Sequence, residues 1–326
     1  MINGKFQNNY EKGLEYLDQN NYDQAINYFT EAIKDSPANP KILYNRGGAF
    51  RRKGDFENAI LDYNRAIDID PKYYGAYNNR GISYRKIGDL NQAISDFTIA
   101  IEINPKCADA YNNRGIAYNI KHNYDQAILD FTKAIEVDPK YAKAYYNRGF
   151  IYYDKHEFDK AILDFTKAIE VNPKYAKAYY NRGLVYYFKQ DYDLALRDYT
   201  KTIELDPLCA EAYDNRGVVY YYRNDFIRAI LDYSKAIELK PDFYLAYNNR
   251  GLAYARTGDY NQAISDFTNS INFNSKYGSV YANRASAYFQ IKNYEKTLMD
   301  IHKAEELGTK VDSKLIKDLE KYLEGG

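Results

Sequence analysis

A Tyr/Asn-Asn-Arg-Gly block returns every 34 residues through this chain of 326. Its glycine is Gly47, Gly81, Gly115, Gly149, Gly183, Gly217 and Gly251, with Ala285 completing the series and a degraded copy at Gly13. A fixed period of this length cannot build one deep core. Each unit buries its apolar face only against its neighbours, and stability becomes a sum of unit and interface terms. The period overrides the two-domain reading that the length alone suggests. It predicts nine repeats, over 6–39, 40–73, 74–107, 108–141, 142–175, 176–209, 210–243, 244–277 and 278–311, then a closing segment over 312–326. With almost no chain left over, function is expected on an extended surface.

Positions are numbered from the first residue of each repeat, so the third runs from Tyr74 to Cys107. Ala76, Tyr77, Gly81 and Tyr84 fall three to four apart, which predicts a helix with one packed face. Gly88-Asp89 breaks it, Ala93, Phe97 and Ala100 mark a second helix, and Pro105 stops the second. The pattern resembles the tetratricopeptide repeat family. Position 4 is Leu43, Tyr77, Tyr111, Tyr145, Tyr179, Tyr213, Tyr247 and Tyr281, position 20 is alanine from Ala25 to Ala263, position 24 is Phe or Tyr from Phe29 to Phe267, and position 32 is proline from Pro37 to Pro241. The resemblance implies an all-α, right-handed superhelical solenoid of helix-turn-helix repeats. Departures gather at the ends: Asn9 at position 4 of the first repeat, and Thr297 and Ile301 for the alanine and aromatic of the last. Asp312 and Ser313 offer an N-cap, and Leu315, Ile316, Leu319, Tyr322 and Leu323 form one apolar stripe. A capping helix is expected over 313–324.

Position 7, commonly leucine in the family, is Arg46, Arg80, Arg114, Arg148, Arg182, Arg216, Arg250 and Arg284. Position 23 is Asp62, Asp96, Asp130, Asp164, Asp198, Asp232, Asp266 and Asp300, and the first repeat lacks both, with Lys12 and Tyr28. Charges that come and go together predict a structural ion-pair ladder between helices, because a half-buried arginine needs a partner. The alternative is an arginine row for phosphate or carboxylate.

First-helix positions 2, 5, 6, 9, 12 and 13 share the face opposite positions 4 and 11. In the family that face is concave. Position 6 carries Asn45, Asn79, Asn113, Asn147, Asn181, Asn215, Asn249 and Asn283. An asparagine offers both donor and acceptor, as an extended peptide backbone requires. The row resembles the asparagine ladder of the O-linked N-acetylglucosamine transferase repeat domain; duplication alone would also preserve it, since 141–149 and 175–183 are identical. Apolar contact comes from Ile82, Ile116, Phe150, Leu184, Val218 and Leu252 at position 9. Tyr146, Tyr153, Tyr180, Tyr187, Phe188, Tyr221 and Tyr222 stand around them. Repeats five to seven are the expected binding centre. Arg51, Arg52, Arg85 and Lys86 make a basic entrance at repeats two and three, where Arg52 and Lys86 are expected to face an acidic part of a ligand. The dicarboxylate clamp that grips chaperone tails in this family is not expected: position 6 is Glu11 in the first repeat and asparagine in all the others, and position 9 is apolar or small.

Forty-five basic and 45 acidic side chains cancel, so no overall field favours nucleic acid or an anionic membrane. Residues 1–5 lack the apolar core of a secretory signal, and no stretch approaches the 18 apolar residues of a membrane span. A cytoplasmic protein is expected. Cys107 and Cys209 stand three repeats apart, too far for a disulfide or a shared metal. His122 and His156 share one turn position and His302 lies in the last repeat, none beside a nucleophile or carboxylate cluster. No enzyme, metal or cofactor is expected. The leading reading is a protein-protein interaction scaffold or adaptor that binds an extended or helical peptide segment of a partner. Single-stranded nucleic-acid binding, by aromatic stacking beside Arg51, Arg52 and Arg85, is the alternative in another class, and repeat-mediated self-association a third reading.

Overall fold

The computed structural model describes the backbone of residues 2–324 and the side chains of residues 7–322. Residues 1–5 and the side chain of Leu323, on which two of the expectations above fall, lie outside that side-chain description. Among the described residues there are 19 helices and no strand.

The chain divides into two units, residues 1–173 and 174–326. The first contains the hairpins Ile2–Asp18/Tyr22–Asp35, Pro40–Lys53/Phe56–Ile69, Tyr74–Lys86/Leu90–Ile103, Ala108–Ile120/Tyr124–Val137 and Ala142–Asp154/Phe158–Val171. The second contains Ala176–Phe188/Tyr192–Leu205, Ala210–Tyr222/Phe226–Leu239, Tyr244–Thr257/Tyr260–Phe273 and Gly278–Gln290/Tyr294–Glu306, then a single helix, Ser313–Glu324. Within each unit every helix of the hairpins packs on the next, and the first helices of neighbouring repeats also touch one another. First helices therefore line the inner side of the stack in each unit.

Each hairpin has the same punctuation. The second helix starts on a side-chain cap: Asn21, Asp55, Asp89, Asn123, Asp191, Asp225, Asp259 and Asn293 each accept the N–H three residues on. Glu157, one methylene longer, makes no such bond. The residue before the cap is always left-handed, whether glycine (Gly54 φ 93, Gly88 φ 88, Gly258 φ 88) or not (Asn20 58, His122 58, His156 59, Gln190 61, Asn224 60, Lys292 60). His122 and His156 thus occupy a backbone turn position that glycine fills in other repeats.

Small residues set the distance between the paired helices. A Cβ on Gly81 would meet Phe97 Cε1 at 2.7 Å, one on Gly115 would meet Phe131 Cε1 at 2.7 Å, and one on Gly217 would meet Tyr233 Cε1 at 2.8 Å. Wherever position 24 is aromatic, position 8 is glycine; the ninth repeat pairs Ala285 with Ile301 instead. The added methyl and the smaller partner compensate. We expect Gly115→Ala to cost about 1–3 kcal/mol by overpacking. Gly115→Ala/Phe131→Ile should cost clearly less than the two single changes together, in a urea double-mutant cycle. Simple additivity would show that the ring does not set the spacing.

The closing helix covers the last hairpin. Asp312 Oδ1 accepts the Lys314 N–H at 2.9 Å, and Leu315, Leu319 and Val311 are buried against Tyr281, Ile301 and Ala304. Tyr322 is 57% exposed and stacks on Tyr294 at 5.1 Å instead of entering the core.

Candidate functional site

The arginine row points into the hairpins. Arg114 donates from Nε to Asp130 Oδ2 (2.8 Å), from Nη2 to Asp130 Oδ1 (2.7 Å) and from Nη1 to Thr98 Oγ1 (3.0 Å). These bonds to Asp130 raise the Arg114 pKa. The same fork holds Arg46, Arg80, Arg148, Arg216, Arg250 and Arg284, each with a third bond to Thr30, Asn64, Thr132, Thr200, Ser234 and Thr268 of the preceding repeat. Arg182 makes the fork with Asp198 and is itself buried. One guanidinium thus ties three helices, and the row is structural; it is not a free anion site. Sequence reading missed the third contact. Its signal is a hydroxyl or amide at position 25 that begins at Thr30, one repeat before the first arginine.

The asparagine row is shared between neighbours. Nδ2 of Asn45 donates to Tyr10 Oη (2.8 Å), Asn113 to Asn78 Oδ1 (3.1 Å), Asn147 to Asn112 Oδ1 (2.8 Å), Asn215 to Tyr180 Oη (2.9 Å) and Asn283 to Asn248 Oδ1 (2.9 Å). Position 6 of one repeat therefore grips position 5 of the repeat before it. One of two amide hydrogens is spent and the amide plane is held; the Oδ1 atoms of Asn45, Asn113, Asn147, Asn215 and Asn283 make no bond among the described residues. Asn181 is buried, and its Nδ2 donates to Lys177 O (3.0 Å).

Position 9 is half-buried. Ile82, Ile116, Leu184, Val218 and Leu252 pack against the buried clusters of their own hairpins, so this row is largely internal packing. Tyr153, Tyr187, Tyr221 and Tyr222 stand in the last turn of their first helices, beside the hairpin turns, and Tyr146 and Tyr180 nearer the helix starts. In the first unit Tyr153 lies 6.3 Å from Phe150 and 6.4 Å from Phe158, and Tyr146 lies over Phe165. In the second, Tyr187 lies 6.1 Å from Tyr222, and Tyr221 5.4 Å from Phe226. Burial raises the Tyr153, Tyr180 and Tyr187 phenols above their ordinary pKa. Phe188 and Tyr222 remain more than half exposed.

At the basic end, Arg52 and Lys86 are exposed, whereas Arg51 and Arg85 are half-buried. The Arg85 Nε is buried and makes no hydrogen bond among the described residues, and burial lowers the pKa of that guanidinium. Arg51 lies beside Tyr63, whose phenol burial raises to about 12 against the pull of that charge. Burial likewise raises the thiols of Cys107 and Cys209, which disfavours reactive thiolates. No group of three or more His, Cys, Asp or Glu among the described residues could hold a metal ion. No described helix is long and apolar enough to cross a membrane.

Asp214 is the residue that sequence reading passed over. At position 5, where other repeats carry Tyr, Asn or Ala, it is a carboxylate only 6% exposed. It accepts from Asn249 Nδ2 at 3.1 and 3.5 Å, and burial raises its pKa to about 6 despite that bond. A cavity of about 100 Å³ opens beside Asn249, lined by Val218, Tyr221, Tyr222, Tyr233, Asn249 and Leu252.

Family models for the tetratricopeptide repeat match residues 10–74, 74–107, 108–141, 142–175, 176–208 and 244–277, and a TPR repeat model matches 217–258. The chain belongs to the tetratricopeptide repeat family. A tetratricopeptide repeat protein from Parabacteroides merdae is 24% identical, with a TM-score of 0.56 over 77% of this chain and 99% of that one. The Cut9-Hcn1 hetero-tetramer of the APC/C is 17% identical, with a TM-score of 0.57 over 96% of this chain and 75% of that one. Both show the all-α superhelical repeat fold. YrrB, described as a TPR protein with an unusual peptide-binding site, is 26% identical, with a TM-score of 0.48 over 56% of this chain and 95% of its own. No curated protein matches the sequence.

Proposed function

We propose that the chain is a non-enzymatic cytoplasmic scaffold that holds an extended or helical peptide segment of a protein partner on the inner face of its first helices. The observation that carries this reading is the asparagine row: amides held in fixed planes by the neighbouring repeat, each with an unbonded Oδ1 at Asn45, Asn113, Asn147, Asn215 and Asn283. Preorganised acceptors lose little entropy on binding. Each hydrogen bond nets about 0.5–1.5 kcal/mol, against an association cost of about 4–15 kcal/mol. Several repeats must therefore act together, with apolar contact from Tyr153 in the first unit or Tyr187 and Tyr221 in the second. An acidic part of the partner lies beside Arg52 and Lys86.

A second reading has its own support. Position 22, on the second helices, exposes Leu61 (58%), Leu129 (57%), Leu163 (59%) and Leu231 (64%), a row suited to an outer-face contact or self-association. Affinity purification with the wild type, Tyr187→Ala/Tyr221→Ala and Leu129→Ser/Leu163→Ser separates the two. Partners are expected to disappear only from the tyrosine variant. Loss confined to the leucine variant would transfer the function to the outer face.

A further inference from the structure

We infer that the seventh repeat carries a subsite for a cationic side chain, a lysine or arginine of the bound peptide, in the cavity walled by Tyr221, Tyr222 and Tyr233 with the Asp214 carboxylate behind Asn249. This rests on the inner face being a peptide-binding surface, and it names one chemical feature of the guest.

The fold does not need a charge at this position. The bond from position 6 requires only an acceptor, and Asn78, Asn112 and Asn248 supply a neutral one at the same place in other repeats, at 3.1, 2.8 and 2.9 Å. A carboxylate there has to be desolvated, a cost the asparagine avoids.

Nor does the chain neutralise it. Arg216, two residues on, gives Nε and Nη2 to Asp232 and Nη1 to Thr200. The ionisable groups that act on or feel Asp214 are Glu211 on its own helix, Tyr180 from the preceding first helix and Tyr233 from the following second helix. None of them is a cation. Arg256 lies over the Tyr221 and Phe226 rings, at 5.8 and 5.0 Å, with no bond to Asp214 among the described residues.

The cavity is reached from this charge through Asn249, which is bonded to the carboxylate and lines the cavity, and it suits a cation. Tyrosine ring faces attract ammonium and guanidinium groups, and Val218 and Leu252 would cover an aliphatic stem. Tyr222 at the cavity is 56% exposed, which leaves a way in from solvent. The same negative charge rejects an acidic side chain, so the site selects by repulsion as well as by attraction.

Selection of a random peptide library displayed on phage, against the full chain and its Asp214→Asn variant at pH 7.5, tests this. Wild-type pools are expected to fix a lysine or arginine, and the variant pools to lose that preference. A synthetic selected peptide should bind about tenfold more weakly when Asp214→Asn is made, and similarly when its basic residue is norleucine. The two losses should not add, which a merely structural effect of Asp214→Asn would not reproduce. Circular dichroism melts establish that the variant is folded. Peptides without basic preference, or equal binding by both proteins, overturn the subsite and leave the inner-face reading standing. No peptide binding at all overturns both.

Discussion

Replacing Asp164 by alanine is expected to remove about 3 kcal/mol of unfolding free energy, the lower end of the loss typical when one member of a buried pair is deleted, because Arg148 is only partly buried. Asp164 is 2% exposed and takes both Nε and Nη2 of Arg148 at 2.8 Å. Without it the guanidinium keeps only Thr132, at 2.9 Å, and stays charged between two helices. Arg148→Met/Asp164→Leu removes both charges and fills the space, so it should cost far less than Asp164→Ala alone. Urea unfolding of the two variants provides the comparison. Because neighbour interfaces carry the stability of a repeat array, a defect in the fifth repeat should also broaden the transition. A loss below about 1 kcal/mol for Asp164→Ala would place the pair with ordinary surface ion pairs.

Asp214→Asn should act in the opposite direction and stabilise the free protein. An acid whose pKa is higher folded than unfolded binds more protons in the folded state, so its contribution to stability falls as pH rises between the two values. For Asp214 these are 3.8 and about 6. The penalty is absent near pH 3, grows through pH 4–6 and is complete at pH 7. A shift of about two units corresponds to about 3 kcal/mol at pH 7. Urea midpoints at pH 4 and pH 7 measure it: the variant should gain at pH 7 and lose most of that gain at pH 4. A variant no more stable than the wild type at pH 7 would mean that the carboxylate is already compensated. Stability held back by one charged residue, where the repeat itself offers a neutral substitute, is what a ligand subsite would require.

Much of the architecture is legible in the residues. The spacing of Ala93, Phe97 and Ala100 marks a helix because turns of 3.6 residues are a local property, and the closing helix over 313–324 follows from a cap and one apolar stripe. The pairing of arginine at position 7 with aspartate at 23 is visible because both vanish together in the first repeat. The third arginine contact is not, since Thr98 and Arg114 meet only when one hairpin stacks on the next. The same holds for the asparagines. Their chemistry offers donor and acceptor alike, but the bond to position 5 spends part of the donor and leaves the acceptor. His122 and His156 read as ordinary turn residues; their φ values show a position that glycine fills elsewhere.

By itself the sequence determined the helical hairpins, their order and the charge pairs within them, because these follow from periodicity and from groups a fixed number of residues apart. Only the tertiary structure decided which polar atoms remain available. That depends on how successive hairpins seat against one another, and it isolates Asp214 while every ladder arginine is consumed.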